Sequence, residues 1–186
     1  MWQGVRAAAL DELEAAHRKV GGTSPGRRYA TQQLNQAYAV LLSSQFQGFC
    51  RDLHSEAVDQ IVRAASVAPP IAAVLRDQFI TGRKLDRGNP NPGNIGSDFS
   101  RLGLAFWNDV DSLHQRNAAR RSGIERLNVW RNAIAHNDFD PQALGGSTVL
   151  HLKTVQVWRG CCDGLARSFD VALGRYLGTL LGSAPW

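Results

Sequence analysis

The chain has 186 residues, 44% hydrophobic and 20% charged, with a formal net charge of +5 and a sequence pI of about 9.6. These values exclude a disordered chain and describe a domain long enough to bury a core without metal or disulfide staples. Cys50, Cys161 and Cys162 form neither an even set nor a CxxC pair, so buried reduced thiols are expected rather than a disulfide framework or a zinc site. Of the 21 basic residues, all but Lys19, Lys84 and Lys153 are arginine. That bias fits a polyanionic partner, since the planar guanidinium matches phosphate, and it fits equally well a GC-rich genome that writes Arg for Lys.

Helical periodicity dominates in chain order. Val5–Val20 reads as an amphipathic helix ended by Gly21-Gly22, with Thr23-Ser24-Pro25-Gly26 as a turn. Charges through this first segment argue against a signal peptide. Arg28 to about Val67 reads as one long helix, with Leu34, Tyr38, Leu41, Leu42, Phe46, Phe49, Leu53 and Val58 at three- and four-residue steps. Pro69-Pro70 stops it, and Ile71–Leu85 is a third helix. Asp86–Gly96 is turn chemistry throughout and is expected to be irregular. It lacks the Gly-Lys-Ser/Thr ending and the preceding strand of a nucleotide loop, so it reads as a connection between helices.

Ser97 or Asp98 can cap a helix running through Leu102, Leu104, Phe106, Trp107 and Leu113. Arg116–Gly123 is basic and is expected to be exposed, with room for a break. Ile124 to about Asn137 is another helix, Phe139-Asp140-Pro141 and Gly145-Gly146-Ser147 form a loop, and Val149–Leu181 is a last long helix or a broken pair. No alternating β-branched run and no uncharged stretch of membrane length occurs. The expectation is an all-α, soluble, cytoplasmic protein of one domain, with residues 1–25 as an N-terminal helical extension and 26–186 as the core bundle.

On a helix turning about 100° per residue, Leu127, Trp130 and Ile134 share one stripe while Glu125, Asn132 and His136 share the opposite one. Asn132 and His136 are four apart, so the amide can orient the imidazole. Arg131 lies about 120° round the same helix, within reach of that face. An imidazole that moves a proton beside a guanidinium that stabilises charge is what phosphodiester chemistry needs. Arg120, Arg121 and Arg126 precede this segment and could guide a nucleic-acid backbone, although Arg121 is also placed to pair with Glu125. Trp107, Trp130 and Trp158 read as core, and His17, His54, His114 and His151 as surface or satisfied histidines.

The segment Arg131-Asn132-Ala133-Ile134-Ala135-His136 resembles the Arg-polar-x-x-x-His signature of the HEPN superfamily. Asn89-Pro90, Asn94-Ile95, Asp98-Phe99, Arg101-Leu102-Gly103 and Trp107 are similar to the stretch preceding this motif in the prokaryotic RiboL-PSP and MAE-type families. The helix containing Tyr38, Leu41, Leu42, Phe46 and Phe49 is similar to their first core helix, so the likeness spans roughly residues 30–180. It implies an HEPN-like helical bundle, with an irregular Gly/Asn/Pro loop before the motif helices. It also implies a homodimer and metal-independent, cofactor-free RNA cleavage in a toxin–antitoxin or phage-defence system, with an antitoxin or other protein as further partner. In that scheme His136 shuttles the proton of the ribose 2′-hydroxyl, Arg131 binds the scissile phosphate and Asn132 positions either. The alternative is a non-catalytic dimer that binds RNA or nucleotide or regulates a partner protein. Asp138 stands where some HEPN toxins carry a modified tyrosine, and Gln45 and Gln47 stand near a common acidic position. The likeness does not extend to those two roles.

Overall fold

The computed structural model describes residues 2–21, 29–183 and 185. Every regular element among the described residues is a helix. After a wide π-type turn over Trp2–Arg6 come α1 (Ala7–Gly21), α2 (Tyr29–Ala64), α3 (Pro69–Ile80), a 3-10 turn (Lys84–Asp86), α4 (Pro92–Ser100), α5 (Phe106–Leu113), α6 (Asn117–His136) and α7 (Leu152–Leu181). No described helix is long and apolar enough to cross a membrane. The expected turn at residues 23–26 lies outside the described residues.

The helices α2, α6 and α7 pack on one another, and α1 runs against α2. Their apolar faces follow the periodic residues, with Leu42, Phe46, Leu53 and Val58 of α2, Ile124 and Leu127 of α6, and Val155, Leu165, Phe169, Leu173 and Leu177 of α7 all buried. An aromatic cluster joins the elements. Phe99 of α4 stacks on Phe106 of α5 at 4.2 Å, and Phe106 meets Phe169 of α7 edge-on at 4.7 Å. Phe46 of α2 lies 5.9 Å from Phe169. Such ring pairs contribute about 0.5–1.5 kcal/mol each beyond their buried area. Trp2 extends this cluster against Phe46 and Phe49, and its Nε1 donates 2.7 Å to Asp163. Its place at the chain terminus gave no sign of that burial. Trp130 and Trp158 are buried as expected, and Trp107 is half-buried.

A polar knot ties α1 to α2 and α7. Tyr38 Oη donates to Glu14, while Arg159 donates 3.1 Å to Glu14 and 2.7 Å to Asp11. Burial pushes the Glu14 carboxyl up, but the bonds from Tyr38, Gln156 and Arg159 outweigh it and hold the group below its ordinary value. Cys50 and Cys162 are buried and Cys161 half-buried, and burial pushes all three thiols up.

Several boundaries differ from the periodicity. The prolines 69 and 70 do not follow a helix end directly. The helix α2 stops at Ala64, and Pro69 opens α3, where a missing N–H is no loss. The segment 86–96 is not irregular to its end. Asn91 accepts 2.8 Å from the Asn94 N–H and caps α4, with Pro92 at its first position. Ser97 and Asp98 therefore sit inside a helix, not at its start. A turn at Arg101–Gly103, with Gly103 at φ +87°, separates α4 from α5. Arg116–Gly123 holds no break, since α6 is continuous from Asn117, and α7 runs unbroken for 30 residues.

Candidate functional site

The end of α6 is built by its sequence. Trp130 and Ala133 turn into the core and Ile134 is half-buried, which puts Asn132 and His136 outside, both exposed, with Arg131 half-buried between the two faces. Asn137 closes the helix in the left-handed region at φ 53°, a conformation Asn tolerates better than most residues. The Asn137 N–H reaches the Ile134 carbonyl at 3.3 Å and the Asp138 N–H reaches that of Ala133 at 2.9 Å, a Schellman closure. His136 is thus the last residue of the helix, held by a rigid end.

A scaffold from three other elements sets the segment 87–91 against this helix. Asp98, 1% exposed, accepts the N–H groups of Lys84 and Leu85 at 2.8 and 2.9 Å, fixing the 3-10 turn. Gln47 of α2 donates to the carbonyls of Leu85 and Gly88. Asn94 donates 2.8 Å to the Asn89 carbonyl, and buried Asn128 of α6 donates 3.1 Å to that of Pro90. The result is that Asn89 Nδ2 donates to Asn132 Oδ1, which also accepts from Arg131 at 3.3 Å.

The amide of Asn132 therefore does not orient His136, contrary to the expectation from their spacing. Its oxygen is already engaged by Asn89 and Arg131, so its two N–H donors and the remaining Arg131 donors are what the surface offers an anion. Among the described residues His136 makes no hydrogen bond or ion pair. Asn89 is the participant that spacing could not reveal, because its contact with Asn132 bridges 43 residues. The signals in the sequence were the turn-forming run Asn89-Pro90-Asn91-Pro92 and the likeness of Asn89-Pro90 to the stretch before the motif.

The preceding arginines are spoken for individually. Arg120 donates 2.8 Å to Asn117 and lies over Gly164 of α7, where a Cβ would collide with it. Arg121 does not pair with Glu125. It bonds Asp111 at 3.1 Å and stands 5.2 Å from the centre of the Trp107 ring. Arg126 donates 3.3 Å to the Leu144 carbonyl. Each is engaged by a partner other than Arg131. Gln45 accepts 3.0 Å from Arg6 and Gln47 holds the loop, so both have structural partners. Among the described residues no group of three or more His, Cys, Asp or Glu side chains is placed to hold a metal ion.

His54 is buried beneath this scaffold. Its Nε2 lies 3.1 Å from the Asp98 carbonyl, and its ring meets Phe99 edge-on. Burial pushes its pKa down to about 4, and the Arg83 charge adds to the effect against a smaller rise from the Asp98 carbonyl. It is a core histidine partnered at Nε2, while its buried Nδ1 has no hydrogen-bond partner among the described residues.

No protein-family model, no curated protein and no solved structure matches the chain.

Proposed function

We propose that this chain is a metal-independent endoribonuclease of the HEPN type, acting as a homodimer in a toxin–antitoxin or phage-defence system of the cytoplasm. The observation that carries this reading is the shared exposed end of α6. There the Asn132 oxygen accepts from both Asn89 and Arg131, and His136 stands on the same helix end, unengaged among the described residues.

In the reaction, His136 takes the proton of the ribose 2′-hydroxyl as the 2′-oxygen attacks phosphorus. Arg131 and the Asn132 N–H groups stabilise the extra charge on the phosphate oxygens. The bond to the 5′-oxygen breaks, and that oxygen takes a proton from the histidine of the second copy or from water. The products are a 2′,3′-cyclic phosphate and a 5′-hydroxyl. The test is cleavage of mixed RNA in excess EDTA. His136→Ala should lower the rate by about 10²- to 10⁴-fold, the usual worth of a positioned acid–base group, with the fold retained. Cutting that survives this substitution, or that stops with chelator, refutes the reading.

The exposure of His136 without an orienting hydrogen bond among the described residues favours a second reading. In it the dimer binds RNA or nucleotide, or regulates a partner protein, without chemistry. Tight RNA binding by wild type with no cleavage would select it.

A further inference from the structure

A cleft of about 400 Å³ opens at the other end of α6, between the turn after α5 and the middle of α7. That is the scale of a small-ligand site. Its wall carries Arg120, Arg167, Arg175 and His114, and its floor is Gly164 and Ser168. Among the described residues no acidic side chain lines it. Among the described residues none of these three guanidiniums makes an ion pair, although Asp109 lines the adjoining cavity that shares Arg175.

The cleft is held from beneath. Asn117, fully buried, donates 2.6 Å to the Val110 carbonyl and 3.0 Å to Ser168 Oγ, and its own oxygen accepts from Arg120. Arg120 is therefore fixed in place over a glycine rather than free in solvent. His114 Nδ1 accepts 3.0 Å from the Arg116 N–H, so the hydrogen of the neutral ring resides on Nε2, a further donor. Arg167 and Arg175 are eight residues apart on one helix and bracket the exposed Val171, a span of about 12 Å along the axis. The three guanidiniums, with no carboxylate among the described lining residues, repel one another until an anion enters, and the imidazole adds an uncharged donor.

We propose that this cleft is a binding site for a small anion carrying two or more phosphate groups. Arg120 and Arg167 would hold phosphate beside Gly164, while Arg175 reaches its far end. Guanidinium forks match phosphate oxygens in pairs, and the spread of the three suits several linked phosphates better than one. The site is distinct from the end of α6 that carries His136. Arg120 lies 16 residues from His136, which is about 24 Å along the helix and about 160° round it. A short RNA strand could not touch both without wrapping α6, which favours a compact ligand over a nucleic-acid backbone.

The test is calorimetric titration of the full chain with inorganic tripolyphosphate at physiological ionic strength, with orthophosphate for comparison. Two double variants are compared: Arg167→Ala with Arg175→Ala in the cleft, and Arg18→Ala with Arg63→Ala on α1 and α2, outside the cleft lining, each lowering the net charge equally. One saturable site per chain is expected, weakened at least about tenfold in the cleft variant and unchanged in the other. Tenfold is the loss of one charge-assisted bond. Absence of saturable binding by wild type overturns the proposal, as does equal weakening in both doubles. A hexanucleotide RNA that binds and loses affinity in the cleft variant, where tripolyphosphate does not bind, also overturns it and makes the cleft a nucleic-acid surface.

Discussion

Replacing Asp98 by Ala tests whether one carboxylate holds the segment that positions Asn89. Its two oxygens accept the N–H groups of Lys84 and Leu85 at 2.8 and 2.9 Å, and both Asp98 and Leu85 are shielded from water. Hydrogen bonds to a charged group contribute about 1.5–3 kcal/mol each, and without an acceptor the Leu85 amide has no water to turn to. Asp98→Ala should therefore cost about 3–6 kcal/mol, a large part of the 5–15 kcal/mol typical of a folded domain. Asp98→Asn keeps one acceptor and presents an NH₂ to the other amide, so it should lose about half as much. The assay is urea unfolding, read as a fall in midpoint at constant slope. Because Asn89 hangs from this scaffold, both variants should also lower the RNA cleavage proposed above in whatever fraction remains folded. An Asn variant as stable as wild type, or an Ala variant losing under about 1 kcal/mol, would refute the reasoning.

Two further perturbations probe the same scaffold. Gln47 donates to two carbonyls, so Gln47→Glu faces acceptors with a negative charge and should destabilise by about 2–4 kcal/mol at neutral pH. Recovery is expected as the pH falls and the new carboxyl takes a proton to donate, and a neutral effect would show that the loop is held elsewhere. His54, with its pKa pushed down from 6.5 to about 4, binds a proton more readily unfolded than folded. Stability is then full above about pH 6.5 and falls as the pH drops toward 4, by about 2 kcal/mol at pH 5 and about 3 kcal/mol below pH 4. His54→Gln, which keeps a donor toward the Asp98 carbonyl, should flatten that slope. An unchanged slope between pH 6.5 and 4 would assign the titration to other groups.

The amphipathic periods were legible from residues alone. Leu42, Phe46 and Leu53 mark α2, Leu127 and Trp130 mark the buried face of α6, and the opposite face exposes Asn132 and His136 as their spacing requires. Helical repeats are local, so three- and four-residue steps suffice to find them. Caps are local too, yet the sequence reading places the start at Ser97 or Asp98 and leaves Asn91, which opens α4, in the preceding loop. Asn91-Pro92 and Ser97-Asp98 both carry capping chemistry, and only the burial of Asp98 against Lys84 and Leu85 decides between them.

What tertiary structure alone decided are the pairings between distant residues. Asn89 meets Asn132 across 43 positions, and Trp2 meets Asp163 across 161. Arg121 turns to Asp111 and the Trp107 ring rather than to Glu125 on its own helix, because the packing of α5 against α6 brings a carboxylate and an aromatic face within reach. The basic cleft has the same origin. Arg120 and Arg167 are 47 residues apart, and they face one opening because Gly164 lets the Arg120 side chain lie directly on α7. Periodicity determines which face of a helix is buried, but the partner each polar side chain finds depends on which helices the core brings together.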